Sequence, residues 1–288
     1  MESSTGQRRE SGIRLKQYLK KIKNIPKRIY RSVESRRYRN GAYRNRVSVL
    51  NAWQTIDKLL ETERCFCRFG DGEFAIIRGE HIAFQKADRE LGVRLLEILQ
   101  LEDEQLLVGI NYFYLNPVEG VIGYTRNFLN CLQMQRKFLI RNCNKKRLYI
   151  DAANTQMYQN YNEYDFDTHF RKLQKIFEGK KITLICGESV FSDIKYNALE
   201  VCESVEYIYG PSRNAYDQYD ELLKRALAVD KDRVICVILG PAAKVLVYDL
   251  YKNGRTAWDI GHYLKDYDSY MRQQPRTDAE IEAFFKPD

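Results

Sequence analysis

Between residues 180 and 262 the chain alternates short apolar runs with longer segments of helical periodicity, and this alternation restricts the possible folds more than any other feature. The apolar runs, each long enough for a buried strand, lie at 182–186, 205–209, 234–239 and 256–260. Strands joined by helices in this way form parallel sheets with helices packed on both faces. The sequence therefore predicts an α/β fold built on a mostly parallel sheet.

The same alternation extends over most of the chain. Helices are expected where apolar residues recur every three or four positions, and the short apolar runs between them are expected to be strands. Gly254 follows the last long helix, in the position that most often ends one. In chain order the prediction is a helix at 49–60, a strand at 65–67, a helix at 87–100, a strand at 106–110, a helix at 124–142, a strand at 147–150, and helices at 189–202, 215–229 and 242–253 between the four later strands.

The N-terminal residues differ from the rest of the chain in charge. The net charge is +8, yet residues 1–47 carry fifteen Lys or Arg against three Glu, which leaves the remaining residues with a net charge of −4. Residues 1–12 lack periodicity, whereas 13–25 approximate helical spacing with lysines between the apolar positions. We therefore expect a basic, partly disordered or helical arm over 1–47, a domain over 48–270 and a C-terminal tail over 271–288.

The basic arm has two open interpretations, a solvated tail and a segment that binds an anionic membrane surface. Nucleic-acid binding is not expected, because the aromatic residues of the arm are scattered and no recognised nucleic-acid motif accompanies them. No apolar run approaches the length that crosses a bilayer, and no signal-peptide pattern follows Met1. Seven cysteines without a CxxC pair are typical of buried thiols. We expect a cytoplasmic protein, peripheral at the inner face of the cell membrane if the arm has the second role.

The densest cluster of ionisable residues is Arg68-Phe69-Gly70-Asp71-Gly72-Glu73, which follows an apolar run. In an extended backbone, side chains two positions apart point the same way, so Asp71 and Glu73 would address one point while the glycines let the chain turn. Two carboxylates in that arrangement suit a hard divalent cation such as Mn²⁺ or Mg²⁺. An ordinary polar turn after a strand is the alternative interpretation of the same residues.

Other strand ends also carry glycine-bearing or charged turns. Open parallel sheets bind ligands outside the carboxyl ends of their strands, so these turns should share one edge with the acidic motif. The turns before the helices at 215 and 242 would present free N–H groups and a helix dipole to an anion such as a diphosphate. The turns are Gly187-Glu188-Ser189, Gly210-Pro211-Ser212-Arg213-Asn214, Gly240-Pro241-Ala242 and Asp259-Ile260-Gly261-His262.

Several common site patterns are absent from the sequence. There is no GxGxxG after a strand, no P-loop motif and no GxSxG, which disfavours dinucleotide oxidoreductases, P-loop ATPases and acyl-transfer enzymes. Of the three histidines, His81 and His169 are expected at ordinary surface or packing positions. His262 directly follows a strand end and is the histidine we favour for a functional role.

Together, these motifs resemble those of the GT-D type glycosyltransferases, a bacterial family. The similarity covers roughly residues 48–270 and rests on RFGDGE at 68–73, Phe84-Gln85, CGES at 186–189, PSRNAYDQYDELL at 211–223, LGPAAKVLVYDLYKNG at 239–254 and DIGH at 259–262. Several motifs in this order are more specific than any one of them. The resemblance implies a Rossmann-like domain that binds a nucleoside-diphosphate sugar, generally a UDP-hexose, and an Asp-x-Glu motif that supports a divalent cation, usually Mn²⁺.

The resemblance also implies roles for individual residues. Asp71 and Glu73 match the Asp-x-Glu pair and would act on the metal and the diphosphate, while Asp259 and His262 complete the expected catalytic set. Arg68 and Arg213 would contact the diphosphate or the nucleotide, because a planar guanidinium matches phosphate oxygens. The remaining candidates for nucleotide-sugar binding lie in the strand-end turns: Gly70, Gly187, Glu188, Pro211, Ser212, Asn214, Gly240, Pro241 and Ala242.

The function implied by the resemblance is the metal-dependent transfer of a hexose, glucose or galactose, from a UDP-sugar to a lipid-linked or protein-linked glycan, in bacterial surface polysaccharide or glycoprotein biosynthesis. Two alternatives stay open: a catalytically silent nucleotide-sugar-binding scaffold of a glycan-assembly complex and, less favoured, a nucleic-acid-binding protein that acts through the arm. One segment, Asp151-Ala152-Ala153-Asn154, departs from the family pattern, in which an Arg-containing segment is expected. Donor or acceptor selectivity, and activity itself, can therefore differ in this chain.

Overall fold

A computed structural model of the chain describes residues 28–286, so the predictions for residues 1–27 lie outside the described part. Its centre is one sheet, whose strands are β1 (Ser48–Val49), β2 (Phe66–Phe69), β3 (Leu107–Ile110), β4 (Leu148–Asp151), β5 (Lys181–Gly187), β6 (Ser204–Gly210), β7 (Val234–Ile238) and β8 (Ala257–Asp259). Their order across the sheet is β1-β4-β3-β2-β8-β7-β5-β6, and each paired strand runs parallel to its neighbour. The predicted α/β fold with a mostly parallel sheet is confirmed.

Helices connect the strands and cover both faces of the sheet. The described part of the first helix, α1, spans 28–39. The others are α2 (Ala52–Glu61), α3 (Asp71–Ile77), α4 (Arg89–Gln100), α5 (Gly123–Leu129), α6 (Gln133–Asn142), α7 (Met157–Asn160), α8 (Phe166–Phe177), α9 (Tyr219–Leu227), α10 (Ala242–Lys252), α11 (Tyr263–Met271) and α12 (Asp278–Phe284).

Apolar side chains of the strands alternate between two cores. In β7, for example, Ile235 and Val237 join the core that contains α4, α9 and α10, whereas Val234 and Cys236 join the core that contains α2, α8 and α11. Side chains of a strand alternate between its two sides, so both faces of the sheet are buried. This is why the strands read in the sequence as continuous apolar runs.

The predicted helix at 189–202 is wrong. The structure has two short 3-10 turns in its place, Glu188–Phe191 and Ala198–Val201. The N–H groups of Lys195 and Tyr196 donate to Asp268 Oδ1 at 2.9 and 3.0 Å. Nearby, Leu199 N donates to Asn197 Oδ1 at 3.0 Å. Side-chain acceptors thus take N–H groups that a continuous helix would use.

Two other predicted helices are interrupted. The helix expected at 124–142 is divided into α5 and α6 around Asn130, where Gln133 Nε2 donates to the Asn130 carbonyl at 2.6 Å. The helix expected at 215–229 begins as a 3-10 turn, Ala215–Gln218, before α9. The sequence also did not predict β1, because two residues are too few to show a periodic pattern.

The described residues before β1 pack on the domain, although the sequence assigns them to the arm. Tyr38 is buried, its hydroxyl donates to the Phe113 carbonyl at 2.6 Å, and the Arg136 guanidinium lies 3.9 Å from the centre of its ring. Tyr43 is buried in the same core. The folded domain therefore begins well before the predicted boundary at residue 48.

The structure also bears on the predictions about cysteines and membrane segments. All seven cysteines are free thiols, and five of them are buried, at positions 65, 67, 143, 186 and 236. Burial raises the pKa of Cys143 to about 12, so this thiol stays protonated at neutral pH. Within residues 28–286, no helix combines the length and apolar content needed to cross a membrane.

Candidate functional site

A cavity of about 420 Å³ lies at the carboxyl edge of the sheet. Open parallel sheets bind ligands at this edge, and the volume lies in the range of small-molecule sites. The strand-end residues that line it are Gly70 and Asp71 after β2, Asn111 after β3, Ala152 after β4, Gly187 in β5, Ser212 after β6, Gly240 after β7 and Gly261 after β8. The structure thus brings the turns of seven strands to one place.

The acidic motif starts a helix rather than an extended segment. Asp71 and Glu73 are the first and third residues of α3, and residues two positions apart on a helix point in different directions. Both residues line the cavity, where Asp71 is exposed and Glu73 is buried, and Glu73 Oε2 accepts from Gly70 N at 2.7 Å. The extended backbone predicted for the acidic motif is therefore wrong. Desolvation and the charge of Glu73 raise the pKa of Asp71.

Lys244 of α10 binds two buried carboxylates in the cavity wall. Its Nζ lies 3.0 Å from Glu73 Oε1 and 3.1 Å from Asp259 Oδ2, and it donates to the Gly240 carbonyl at 3.0 Å. These contacts use all three donors of the ammonium group. Burial alone would lower the pKa of Lys244, but the Asp259 and Glu73 carboxylates raise it above its usual value.

Arg68 completes this buried cluster and joins three strand ends. Its side chain donates to the Asp259 carbonyl at 2.9 Å and the Ala152 carbonyl at 3.0 Å, and it contacts Asp259 Oδ1 at 3.3 Å. Burial would raise the pKa of Asp259, but Lys244 and Arg68 hold it below its usual value. A Cβ at Gly261, where φ is +44°, would lie 1.4 Å from Arg68 Nη2, so only glycine fits at that turn.

His262 lines the cavity beside residues from the C-terminal end of the domain. Its ring centre lies 5.3 Å from that of Phe284, the last residue of α12, and 5.4 Å from that of Phe285, the next residue. Desolvation and the charge of Arg68 lower the pKa of His262 to about 3, so the imidazole is neutral at neutral pH. Phe285 and Lys286 also line the cavity. The segment predicted as a tail after residue 270 therefore forms part of the wall.

The candidate binding residues divide into two sets. Those that line the cavity are Arg68, Gly70, Gly187, Ser212, Gly240 and Pro241, and those outside its lining are Glu188, Pro211, Arg213, Asn214 and Ala242. Arg213 is exposed and lies outside this lining, so its contact with the diphosphate or the nucleotide stays a prediction. Asn214 Oδ1 accepts from Lys86 N at 2.8 Å, and Asn214 N donates to the Phe84 carbonyl at 2.8 Å. Asn214 thereby holds the loop that places Phe84 in the cavity wall.

Comparison with protein families identifies the chain. A model described as the glycosyltransferase GT-D fold matches residues 66–282. The chain belongs to this GT-D family. The match covers β2 to β8, the acidic motif and α10, and it extends through most of α12, which lies beyond the predicted end of the domain.

Named relatives of this GT-D chain come from streptococci. The probable glycosyl transferase Gly of Streptococcus gordonii is 32% identical over 236 residues, and the glycosyltransferase GlyD of Streptococcus pneumoniae is 25% identical over 237 residues. These alignments cover 78% and 79% of this chain but only 33% and 28% of the relatives. The chain thus spans about a third of the length of the curated relatives that it matches.

Solved structures share the fold. A glycosyltransferase of the domain of unknown function 1792 from Streptococcus sanguinis is 29% identical with a TM-score of 0.73, and the alignment covers 79% of this chain and 85% of that chain. A second structure, described as the highly conserved domain of unknown function 1792 with a distinct glycosyltransferase fold, is 26% identical with a TM-score of 0.76. That alignment covers 81% of this chain and 85% of the other.

Lys244, Asn111 and Lys286 are among the residues of this GT-D site that sequence reasoning missed. Lys244 is the one charged residue between positions 239 and 248, and a lone lysine in an apolar helix is a usable signal of a buried partner. Asn111 is a polar residue directly after an apolar strand, which is the position where ligand contacts gather. Lys286 reaches the cavity through the packing of α12, for which the local sequence gives no signal.

The predicted Mn²⁺ or Mg²⁺ would need oxygen ligands from the residues that line the cavity. Both Glu73 oxygens have a partner, one Gly70 N and the other Lys244 Nζ, so Glu73 already joins the turn of the acidic motif to α10. Within residues 28–286, no group of three or more His, Cys, Asp or Glu side chains could hold a metal ion. Asp71 faces the cavity, and Asn111 Oδ1 is buried without a hydrogen-bond partner. Oxygen donors that suit a hard cation are therefore present on Asp71 and Asn111, and Glu73 already binds Lys244.

Proposed function

We propose that this chain is a glycosyltransferase that moves a hexose, glucose or galactose, from a UDP-sugar to a growing glycan of a bacterial surface polysaccharide or glycoprotein. The observation that carries the proposal is the cavity at the carboxyl edge of the sheet, into which the Asp71 carboxylate points. The family match and the glycosyltransferase names of the relatives support the same reaction class.

The diphosphate of the donor is expected at the turn between β7 and α10. Gly240 and Pro241 line the cavity there, and α10 is eleven residues long and begins at Ala242. The positive end of a helix dipole favours phosphate oxygens. The turn of Gly187 lies against Ser212, since a Cβ at Gly187 would come within 2.3 Å of Ser212 Oγ. These two turns leave backbone rather than bulky side chains facing the donor.

Most charged residues of the site hold its structure together, and Asp71 is expected to contact the ligand. Arg68, Lys244, Glu73 and Asp259 form a buried and charge-balanced cluster that fixes the ends of β2 and β8 and the start of α10. Asp71 is outside this cluster and is the residue expected to hold a cation at the diphosphate. A bound Mn²⁺ or Mg²⁺ would neutralise charge on the departing diphosphate. Neutral His262 offers a ring nitrogen to a hydroxyl of the donor or acceptor.

The expected acceptor is a lipid-linked or protein-linked glycan at the inner face of the cell membrane. The exposed side of α1 carries Ile29, Tyr30 and Val33, and residues 28–47 contain seven Arg against one Glu. Exposed apolar side chains among cationic ones are typical of segments that bind anionic membrane surfaces. We therefore propose a cytoplasmic protein that associates peripherally with that surface.

Donor turnover tests the proposal. The protein with Mn²⁺, a glycan acceptor and UDP-glucose or UDP-galactose should release UDP, and Asp71→Asn should slow the release by about a hundredfold or more. Asp217→Asn is the matched control, because Asp217 is exposed and lies outside the cavity lining. UDP-sugar binding without turnover on any acceptor would favour the silent scaffold instead. Failure to bind any UDP-sugar would refute the proposal.

A further inference from the structure

Asn111 occupies a position next to the acidic motif at the edge of the sheet. Strands β2 and β3 are parallel neighbours, and their register pairs Phe69 with Ile110, the last residue of each strand. Gly70 and Asn111 therefore leave the sheet side by side, and Asp71 follows immediately. Both Asp71 and Asn111 line the cavity.

The side-chain oxygen of Asn111 lacks an internal partner. Asn111 is 7% exposed, and its Oδ1 accepts no hydrogen bond. Four other side chains within residues 28–286 also carry buried and unpaired polar atoms, but none of them lines the cavity: Arg136, Arg147, Asn154 and Tyr263. A buried acceptor without a partner costs about 1–3 kcal/mol, and such groups in native structures call for an explanation. A ligand in the cavity would provide the missing partner.

Charge and connectivity favour a cation as that ligand. Asp71 carries its carboxylate on the segment after β2, next to the segment of Asn111, and both residues line the cavity. Tyr114, three residues after Asn111, lines the cavity as well. A carboxylate and an amide oxygen side by side are ligands that Mn²⁺ and Mg²⁺ accept, and Mg²⁺ usually binds one or two protein groups together with substrate phosphates and water.

We propose that the divalent cation of this site is held by Asp71 and Asn111, and that Glu73 acts as a positioning residue for Asp71. The proposal rests on the proposed function only in that the donor diphosphate would supply further oxygen ligands. Glu73 keeps its contacts with Gly70 N and Lys244 Nζ and supports the turn that carries Asp71. The Asp-x-Glu motif would then supply one ligand and one support, and the second ligand would come from the neighbouring strand.

Mn²⁺ binding tests the proposal without any need for turnover. Free Mn²⁺ is measured by electron paramagnetic resonance during titration into the full chain, with and without UDP. Asn111→Leu should weaken Mn²⁺ binding by about tenfold or more, as expected for the loss of a ligand, whereas Asn111→Asp should bind at least as tightly as the unmodified chain. Asn154→Leu is the matched control, because Asn154 also has a buried and unpaired Oδ1 but lies outside the cavity lining. Its Mn²⁺ affinity should not change.

Glu73→Gln separates the two roles of the motif. If Glu73 is a positioning residue, this variant should weaken Mn²⁺ binding much less than Asn111→Leu or Asp71→Asn. The proposal is overturned if Asn111→Leu binds Mn²⁺ as the unmodified chain does, or if that chain binds neither Mn²⁺ nor Mg²⁺. It is also overturned if Asn111→Leu loses affinity for UDP-hexose but not for Mn²⁺, since the oxygen would then contact a sugar hydroxyl. Mn²⁺ binding at Asn111 without turnover of any UDP-sugar would refute the proposed function and leave this inference intact.

Discussion

Replacement of Lys244 by methionine perturbs the buried cluster that supports the site. The ammonium group has three acceptors, Glu73 Oε1, Asp259 Oδ2 and the Gly240 carbonyl, at 3.0, 3.1 and 3.0 Å. Lys244→Met leaves Arg68 as the one remaining cation of the cluster for two buried carboxylates. Removal of one partner from a buried ion pair costs about 3–5 kcal/mol, because the other charge stays desolvated. We expect a loss of that size in the free energy of unfolding.

A double-mutant cycle isolates the charge effect. Glu73→Gln alone leaves two cations and one carboxylate, whereas Lys244→Met with Glu73→Gln leaves Arg68 paired with Asp259 and restores neutrality. The double variant should therefore lose less than the sum of the two single losses, by about 1–3 kcal/mol. Equilibrium unfolding in denaturant, without nucleotide or metal, measures each corner of the cycle.

An exposed lysine on the same helix is the control. Lys252 lies in the last turn of α10, and Lys252→Met should change stability by less than about 0.5 kcal/mol. The reasoning fails if Lys244→Met costs less than about 1 kcal/mol, or if the losses in the cycle are additive. Either result would mean that the buried charges do not depend on one another.

Three further predictions concern the site wall, its protonation and the arm. Gly261→Ala should lower the free energy of unfolding by at least about 2 kcal/mol more than Gly179→Ala, because both glycines have positive φ but only a Cβ at 261 would lie against Arg68. Equal thermal shifts of the two variants would contradict this prediction. The pKa of His262 is lowered from 6.5 to about 3, so the native state binds fewer protons than the unfolded state between these values and stability falls on acidification. His262→Gln should reduce that fall by up to about 1.4 kcal/mol per pH unit in denaturant unfolding, and an unchanged slope would argue against a neutral imidazole in the native state. Removal of residues 1–27 should weaken binding to anionic vesicles in sedimentation without changing UDP affinity, and unchanged vesicle binding would mean that these residues do not contact the membrane.

The sequence predicted the strands well because they are buried on both faces. Runs such as 182–186 and 234–239 are apolar throughout, and each became a central strand. Segment 189–202 was predicted as a helix because its apolar residues are spaced suitably. Its N–H groups instead donate to Asp268, which is far away in the chain and so leaves no local sign. The packing of residues 28–47 depends on equally distant contacts, such as Tyr38 with Phe113.

For the candidate site, the sequence indicated which turns meet at one edge of the sheet, but not which side chains bind a ligand and which hold the turns in place. Parallel topology alone brings Asp71, Gly187, Gly240 and Gly261 to one edge. The backbone conformation of the acidic motif was not predictable from Gly-Asp-Gly, which suits both a turn and a helix start. The commitment of Glu73 to Lys244 depends on the packing of α10 under β2 and β8, which local sequence does not show.

A thermal-shift panel of nucleotide sugars, with and without Mn²⁺, tests the central claim most directly. We expect UDP-glucose or UDP-galactose with Mn²⁺ to stabilise the full chain, by about 2.7 kcal/mol at a hundred times the dissociation constant, and NAD or ATP to have no effect. Asp71→Asn should lose most of this stabilisation. If no nucleoside-diphosphate sugar raises the melting temperature with or without the metal, the cavity does not bind a sugar donor, which would contradict the account.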